Sequence, residues 1–418
     1  MHEPKSREGK ESGVILEKPK MEFSFSRIMA FLSRDEAVGL IKRAFAVHPA
    51  VTLAGPRQCG KTTLARQFAG QTSESSVVTF FDLERASDRQ KLSAPEQALE
   101  PLRGLVVIDE IQRQPGLFET LRVLLDRPDV PARFLLTGSA SPDLVRGVSE
   151  SLAGRSATVD LGGFSLTEVG PENWAALWQR GGFPRSFLAA DEAGSFLWRD
   201  EFVRSFLERD IPQFGIHVPA ETLRRFWMMI AHYHGQVWNG AEFARALGTS
   251  EPTARRYLDI LAGAYMVRVL PPWFENISKR QVKSPKIYVR DSGLLHSLFG
   301  LRDRDALLGH PKLGASWEGF ALEQILGGLR TRDAWFWATQ GGAELDLLVM
   351  VNGRRYGFEF KHADAPGTTK SMQVALADLG LEHLWVVYPG KERYALGESI
   401  AAVPVVEIPL LTEELVRM

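Results

Sequence analysis

Apolar and polar positions change period several times along this chain. Met1 to Lys20 hold Lys, Glu, Gly and Pro with almost no apolar side chain, a composition that cannot bury enough surface to fold, so a mobile tail over 1–27 is expected. From there Ile28, Phe31, Leu32, Val38, Leu40 and Ile41 predict helical entry segments. Strand-like apolar runs then alternate with helical stretches, at Val51–Ala54, Val77–Phe81, Leu105–Ile108, Phe134–Leu136 and Thr158–Leu161. Runs that are apolar throughout, rather than alternating, predict a parallel sheet covered by helices on both faces. An α/β block is therefore expected over 28–168.

The next stretch, 169–221, is rich in Trp, Phe, Arg and Glu and predicts a helical lid or connector. In 222–300 two helical patterns precede the strand-like runs Met266–Leu270 and Lys286–Val289. The last block, 309–418, opens with a helix over Ser316–Leu326 and continues with strands at Leu345–Val351, Tyr356–Phe360 and Leu384–Val387. The fold class expected is α/β: a parallel-sheet P-loop domain, a winged helix-turn-helix, and a C-terminal nuclease-like α/β domain.

Composition removes several classes. A single cysteine, Cys59, excludes an intramolecular disulfide and cysteine-rich zinc modules. No apolar run approaches the ~18 residues of a membrane span, and the polar start has no signal-peptide core, so a cytoplasmic protein with no membrane partner is expected. The net charge of −1 argues against a surface wrapped in nucleic acid, though not against one basic module.

Gly55-Pro56-Arg57-Gln58-Cys59-Gly60-Lys61-Thr62, followed by Thr63, fits G-x-x-x-x-G-K-[ST] between a strand and a helix. Such glycines let backbone N–H groups surround phosphates, and the helix start adds its dipole. Lys61 is expected to reach the β and γ phosphates of ATP, and the Thr62 hydroxyl to ligate Mg²⁺. Leu105-Val106-Val107-Ile108-Asp109-Glu110 is a buried-strand run ending in two acids: Asp109 would hold Mg²⁺ through water, and Glu110 would be the general base. The run Leu135-Leu136-Thr137-Gly138-Ser139 is expected beside it, with Ser139, or else Thr137, positioning the water. Cys59 reads as a small filler. Arg155 is a candidate finger acting from a neighbouring copy, which would make the protein a homo-oligomer, a hexameric ring being one form; an ordinary surface arginine is the alternative.

These residues, with Glu150-Ser-Leu-Ala-Gly-Arg155, resemble the AAA-type ATP-binding proteins of prokaryotes, specifically those whose C-terminal half is the domain of unknown function 4143. The likeness continues through Pro285-Lys-Ile-Tyr-Val-Arg-Asp291-Ser-Gly-Leu and Gly314-Ala-Ser-Trp-Glu318. It implies an ATPase core.

Eleven Lys or Arg against four acids give 222–290 about +7, while the rest of the chain carries −8. A glycine-closed helix over Gly240–Gly248, a Thr-Ser turn and a second helix from Glu251 to Leu261 predict a winged helix-turn-helix. Thr253, Arg255 and Arg256 would enter a DNA groove, with Lys279, Arg280 and Lys283 on the wing near phosphates. Intramolecular or protein–protein packing is the alternative. In the last block Asp346 and Glu359 could converge on Mg²⁺ beside Lys361, with Glu318 a further acid. This D…E-x-K pattern resembles the restriction-endonuclease-like nucleases, although Leu345 rather than proline precedes Asp346. The bland reading is such a fold without the chemistry. An ATP-driven, DNA-associated protein is expected, with a nucleotide-dependent regulatory switch on a protein partner and an ATP-dependent nuclease as rivals.

Overall fold

The computed structural model describes residues 32–72, 77–127, 132–139, 147–213, 218–275 and 280–418. The expected tail, Ile28 and Phe31, and the candidate Lys279 lie outside them.

Five strands form the first sheet: β1 (Ala50–Gly55), β2 (Val78–Asp82), β3 (Gly104–Asp109), β4 (Ala132–Ser139) and β5 (Ser156–Asp160). They run in the order β2-β3-β4-β1-β5, and every pair is parallel. Alternate side chains leave opposite faces of a strand, and both faces are apolar here. Val51, Leu53, Val107 and Leu135 meet the helices Asp35–Val47 and Lys61–Gly70. Ala50, Val106, Ile108, Phe134 and Leu136 meet the helix Leu117–Leu125. The order places β4 between β1 and β3, so the tips of all three converge at one end of the sheet.

The helix Glu192–Ser205 runs on through a wider turn at Phe206–Asp210. Next come the helices Ala220–His232, Gly240–Leu247 and Glu251–Gly263 and a small antiparallel sheet of β6 (Gln236–Val237), β7 (Val267–Leu270) and β8 (Lys286–Val289), with β8 central. The Asn239 side chain accepts from the Glu242 N–H, Gly248 closes the helix with φ +64°, and the Ser250 hydroxyl accepts from the Thr253 N–H. Trp227 and Ile230 are buried as core residues, whereas their neighbour Met228 is exposed. This core is continuous with the Val51–Leu53 face of the first sheet.

The third sheet contains β9 (Ala334–Ala338), β10 (Glu344–Val351), β11 (Arg354–Phe360), β12 (His383–Tyr388), β13 (Tyr394–Ala395) and β14 (Ile400–Pro404) in the order β13-β14-β12-β11-β10-β9. β9, β10 and β11 form an antiparallel meander, and the Asn352-Gly353 turn between β10 and β11 has both residues at positive φ, as a tight hairpin requires. The helix Lys370–Leu379 carries the chain to β12, which runs parallel to β11. The helices Leu313–Leu329 and Ile408–Arg417 pack on one face.

Candidate functional site

The phosphate loop is built around close approaches. A Cβ at Gly55 would collide with the Leu161 carbonyl oxygen, and Gln58 and Gly60 both take left-handed φ, which turns the chain into the helix Lys61–Gly70. Cys59 is fully buried with its sulfur 3.5 Å from that same carbonyl. Lys61 is only 5% exposed, and its Nζ donates to the carbonyl oxygens of Gly55 at 3.1 Å and Pro56 at 2.7 Å.

Asp109 is buried at the tip of β3. Burial pushes its carboxyl above the ordinary value, while hydrogen bonds from the hydroxyls of Thr137 and Thr62 oppose that shift. Glu110 leaves strand geometry with φ 57°; its N–H points to Thr137 Oγ1 at 3.4 Å, and its carboxylate accepts from Gln112 and from Ser139 Oγ at 3.4 Å. Lys61, Thr62, Asp109, Glu110, Thr137 and Ser139 thus meet at one end of three adjacent strands. The pairing of Thr62 with Asp109 fits a Mg²⁺ site, since these are the hydroxyl and carboxylate that such a site uses.

Two arginines hold this loop: Arg57, which belongs to the expected ATP-binding stretch, and Arg34, which sequence reasoning missed. Arg34, buried, donates to the carbonyls of Cys59 at 3.1 Å, Gly162 at 3.2 Å and Gly163 at 3.1 Å, and pairs with Glu168 at 2.6 Å. Arg57 pairs with buried Asp210 and donates to Gln213 at 3.2 Å, tying the loop to the connector. No motif flags Arg34, and most of what it grips is distant in sequence: Gly162, Gly163 and Glu168 lie more than a hundred residues away.

Arg155 stands elsewhere. Its neighbour Ser156 is in register with Ala50, at the start of β1, so it lies roughly 17 Å of strand away from the phosphate loop. Its guanidinium grips Asp126 at 2.6 and 2.7 Å and reaches the Ala153 carbonyl at 3.1 Å. Within one chain it does not reach the nucleotide end.

The basic block divides in two. Arg255 and Arg256 are exposed on the early turns of the helix Glu251–Gly263, but Arg255 is paired with Asp259 at 3.0 Å, and the Thr253 hydroxyl is 2.9 Å from that of Ser250. Arg280 and Lys283 are exposed on a segment drawn to the free edge of β9, where Gln340 N–H donates to the Arg280 carbonyl at 2.8 Å and Val282 N–H to Ala338 at 3.0 Å. Arg268, Lys286 and Arg290 turn inward. Arg268 and Arg290 grip Glu323, the latter at 3.2 Å; burial alone would raise that carboxyl, yet the two guanidiniums pull it down to about 2. Three of the eleven basic residues behind the +7 are therefore spent on internal ion pairs, and none of the three was among the expected DNA contacts.

Glu318, Asp346, Glu359 and Lys361 do come together. Asp346 Oδ2 accepts from the Phe360 N–H at 3.1 Å and lies 3.7 Å from Lys361 Nζ, which sits 2.7 Å from Glu359. Burial pushes Glu359 up to about 8, with Asp346 adding to the shift and Lys361 opposing it; burial lifts Glu318 to about 7 against Lys286. Lys286, absent from the sequence reading of this cluster, enters from β8: its Nζ lies 3.3 Å from Glu318 and 3.7 Å from Asp346, and it pairs with Glu344 as well. Tyr288 donates to Glu318 at 2.7 Å. Mg²⁺ does not fit this arrangement, because a fixed ammonium already stands among the carboxylates. No metal-competent group of three or more such ligands occurs among the described residues.

The AAA domain model matches residues 47–170, a domain of unknown function (DUF8612) matches 171–305, and the domain of unknown function 4143 matches 313–408. The Pro285–Leu294 stretch thus falls in the second range rather than the third. Two proteins, uncharacterized protein Rv2008c of Mycobacterium tuberculosis and uncharacterized protein Mb2031c of Mycobacterium bovis, are each 52% identical over 377 residues, 90% of this chain and 85% of theirs. Among solved structures, a Walker-type ATPase of Pyrococcus abyssi aligns over 64% of this chain and 96% of its own, with TM-score 0.46 and 16% identity. No helix among the described residues is long and apolar enough to cross a membrane.

Proposed function

Since the chain belongs to the family of these two mycobacterial proteins, with an AAA domain followed by a DUF4143 domain, we propose that it binds ATP at the phosphate loop and hydrolyses it. The observation that carries this reading is the convergence of Lys61, Thr62, Asp109, Glu110 and Ser139 on the tips of β1, β3 and β4. Backbone N–H groups over Gly55–Thr63 surround the phosphates, and Lys61 exchanges its two carbonyl acceptors for phosphate oxygens. Thr62 and Asp109 would hold Mg²⁺, which would supply charge neutralisation on the phosphate oxygens. Glu110 accepts the proton of the attacking water, and the Ser139 hydroxyl orients that water. Phosphate release and binding of a fluorescent ATP analogue test this: Lys61→Ala is expected to abolish turnover and weaken binding, and full turnover in a folded variant would overturn the assignment.

Arg155, remote from its own site, is assigned to the site of a neighbouring copy. Inactive Arg155→Ala mixed with inactive Asp109→Ala is then expected to recover part of the activity at shared sites; no recovery at any ratio rejects it. We also propose contact with duplex DNA through the helix Glu251–Gly263. The support is its place as second of two tightly joined helices beside a three-stranded sheet, the layout of a winged helix, with Arg256 exposed on it and without an ion-pair partner among the described residues.

A further inference from the structure

We infer that Lys286 is the resident cation of the acid cluster in the C-terminal sheet, and that the cluster docks the middle module instead of binding a divalent ion. The inference stands apart from the ATPase reading, because the two sites share no residue.

The ammonium arrives from the central strand of one sheet and meets carboxylates of two other elements: Glu318 on the helix Leu313–Leu329, and Glu344 and Asp346 on β10. Lys286 is almost wholly buried, with its Nζ 5.6 Å from the centre of the Phe336 ring. Four of the carboxylate oxygens a metal would need are already engaged. Asp346 Oδ1 faces Lys286, and its Oδ2 faces Lys361 and the Phe360 N–H; Glu318 Oε1 takes both Lys286 and the Tyr288 hydroxyl; Glu359 Oε2 holds Lys361. A hard divalent ion wants several free oxygens at about 2.0–2.6 Å. An ammonium instead tolerates the longer contacts seen here and brings its charge without leaving the chain.

The same helix carries Glu323, which Arg268 and Arg290 grip from the middle module. Two cations of one small sheet, and Arg290 just beyond its strand β8, thus dock on two acids of a single helix and two of the adjoining strand. The consequence is specific: removing the Lys286 charge opens a place for a divalent cation.

The test uses the full chain, with Mn²⁺ binding counted by electron paramagnetic resonance and thermal unfolding followed with and without MnCl₂. In wild type, the number of Mn²⁺ bound and the Mn²⁺-induced shift in Tm are expected to be unchanged by Asp346→Asn. In Lys286→Met, one further Mn²⁺ per chain and a rise in Tm of several degrees at millimolar MnCl₂ are expected, because a ligand that binds only the folded state stabilises it. Both gains are expected to vanish in Lys286→Met/Asp346→Asn. Should Lys286→Met fail to fold even with Mn²⁺, Lys286→Gln takes its place, and the wild-type comparison decides alone if neither folds. An Asp346-dependent Mn²⁺ in wild type, or a folded Lys286 variant that gains none, overturns the inference.

Discussion

Lys61 and Lys286 are buried to nearly the same degree, 5% and 3% exposed, yet their ammonium groups meet opposite surroundings. Lys61 is held by two backbone carbonyls, which carry only partial charge. Lys286 is held by three carboxylates. A buried cation with neutral acceptors alone is under-compensated, and an arriving phosphate relieves that cost. A buried cation ringed by carboxylates is already satisfied, repels cations and offers an anion nothing. Burial alone therefore does not separate a ligand-binding lysine from a structural one; the charge of its acceptors does. The same contrast divides the acids. Glu110 keeps company with neutral donors and stays available to water, whereas Glu359 and Asp346 are tied to Lys361.

The largest effect is expected on the nucleotide side. Glu110→Gln is expected to retain ATP binding and to slow hydrolysis about 10²- to 10⁴-fold, since an amide cannot take the proton. Loss of binding in a folded variant would give Glu110 another role. Stability sharpens the contrast from the other direction. In urea unfolding without nucleotide, Lys286→Met is expected to cost about 3 to 5 kcal/mol, the usual penalty for stripping one partner from a buried ion network. Lys61→Met, which leaves only carbonyls behind, is expected to cost about 1 kcal/mol. Equal losses in the two variants would erase the distinction between the lysines.

Where the chain's own neighbours dictated structure, the sequence was readable. The five strands of the first sheet appear as apolar runs, and β8 matches its expected span Lys286–Val289. The phosphate loop is local, so its spacing is enough to locate it. β9 and β14 escaped because a five-residue apolar run is not distinguishable from a buried helix segment by period, and Ile400–Pro404 adds two alanines and a proline, poor strand formers. The acid cluster was half legible. The D…E-x-K spacing brought Asp346, Glu359 and Lys361 together, but Lys286 comes from a strand some sixty residues earlier, where it counted only toward a basic total. A charge count has no burial in it, so it does not distinguish Arg268, Lys286 and Arg290 from exposed basic residues.

Titration gives a finer cut. Glu318 at about 7 and Glu359 at about 8 are raised well above a carboxylate's unfolded value near 4.3, chiefly by burial. The folded chain therefore holds protons that the unfolded chain has released, and stability falls as pH rises from about 5 to 8, by up to about 1.4 kcal/mol per pH unit for each group. Glu323, on the same helix, has the opposite sign: at about 2 it contributes stability above pH 4.3 that is lost only in strong acid. The double variant Glu318→Gln/Glu359→Gln mimics the protonated forms. Wild type is expected to lose stability relative to it between pH 5 and 8 in chemical unfolding at each pH. Parallel profiles would mean that the two lysines hold both acids ionised.

The smallest effect concerns the basic residues that are not spent internally. If Arg255, Arg256, Arg280 and Lys283 supply about three phosphate contacts, the log–log salt slope of duplex binding is expected to be roughly −2 to −3. Arg255→Ala/Arg256→Ala should flatten it by about one to two units, because Arg255 is already paired with Asp259 and brings less than a full charge. Asp259→Ala should do the reverse, freeing Arg255 and steepening the slope by up to about one unit. Basal ATP hydrolysis is expected to stay unchanged in both variants, since the helix Glu251–Gly263 contributes nothing to the tips of β1, β3 and β4. The Asp259 variant is the sharper probe. A surface used for docking an acidic protein would show no DNA binding at low salt in either direction, and that outcome would put a nucleotide-dependent switch on a protein partner ahead of DNA.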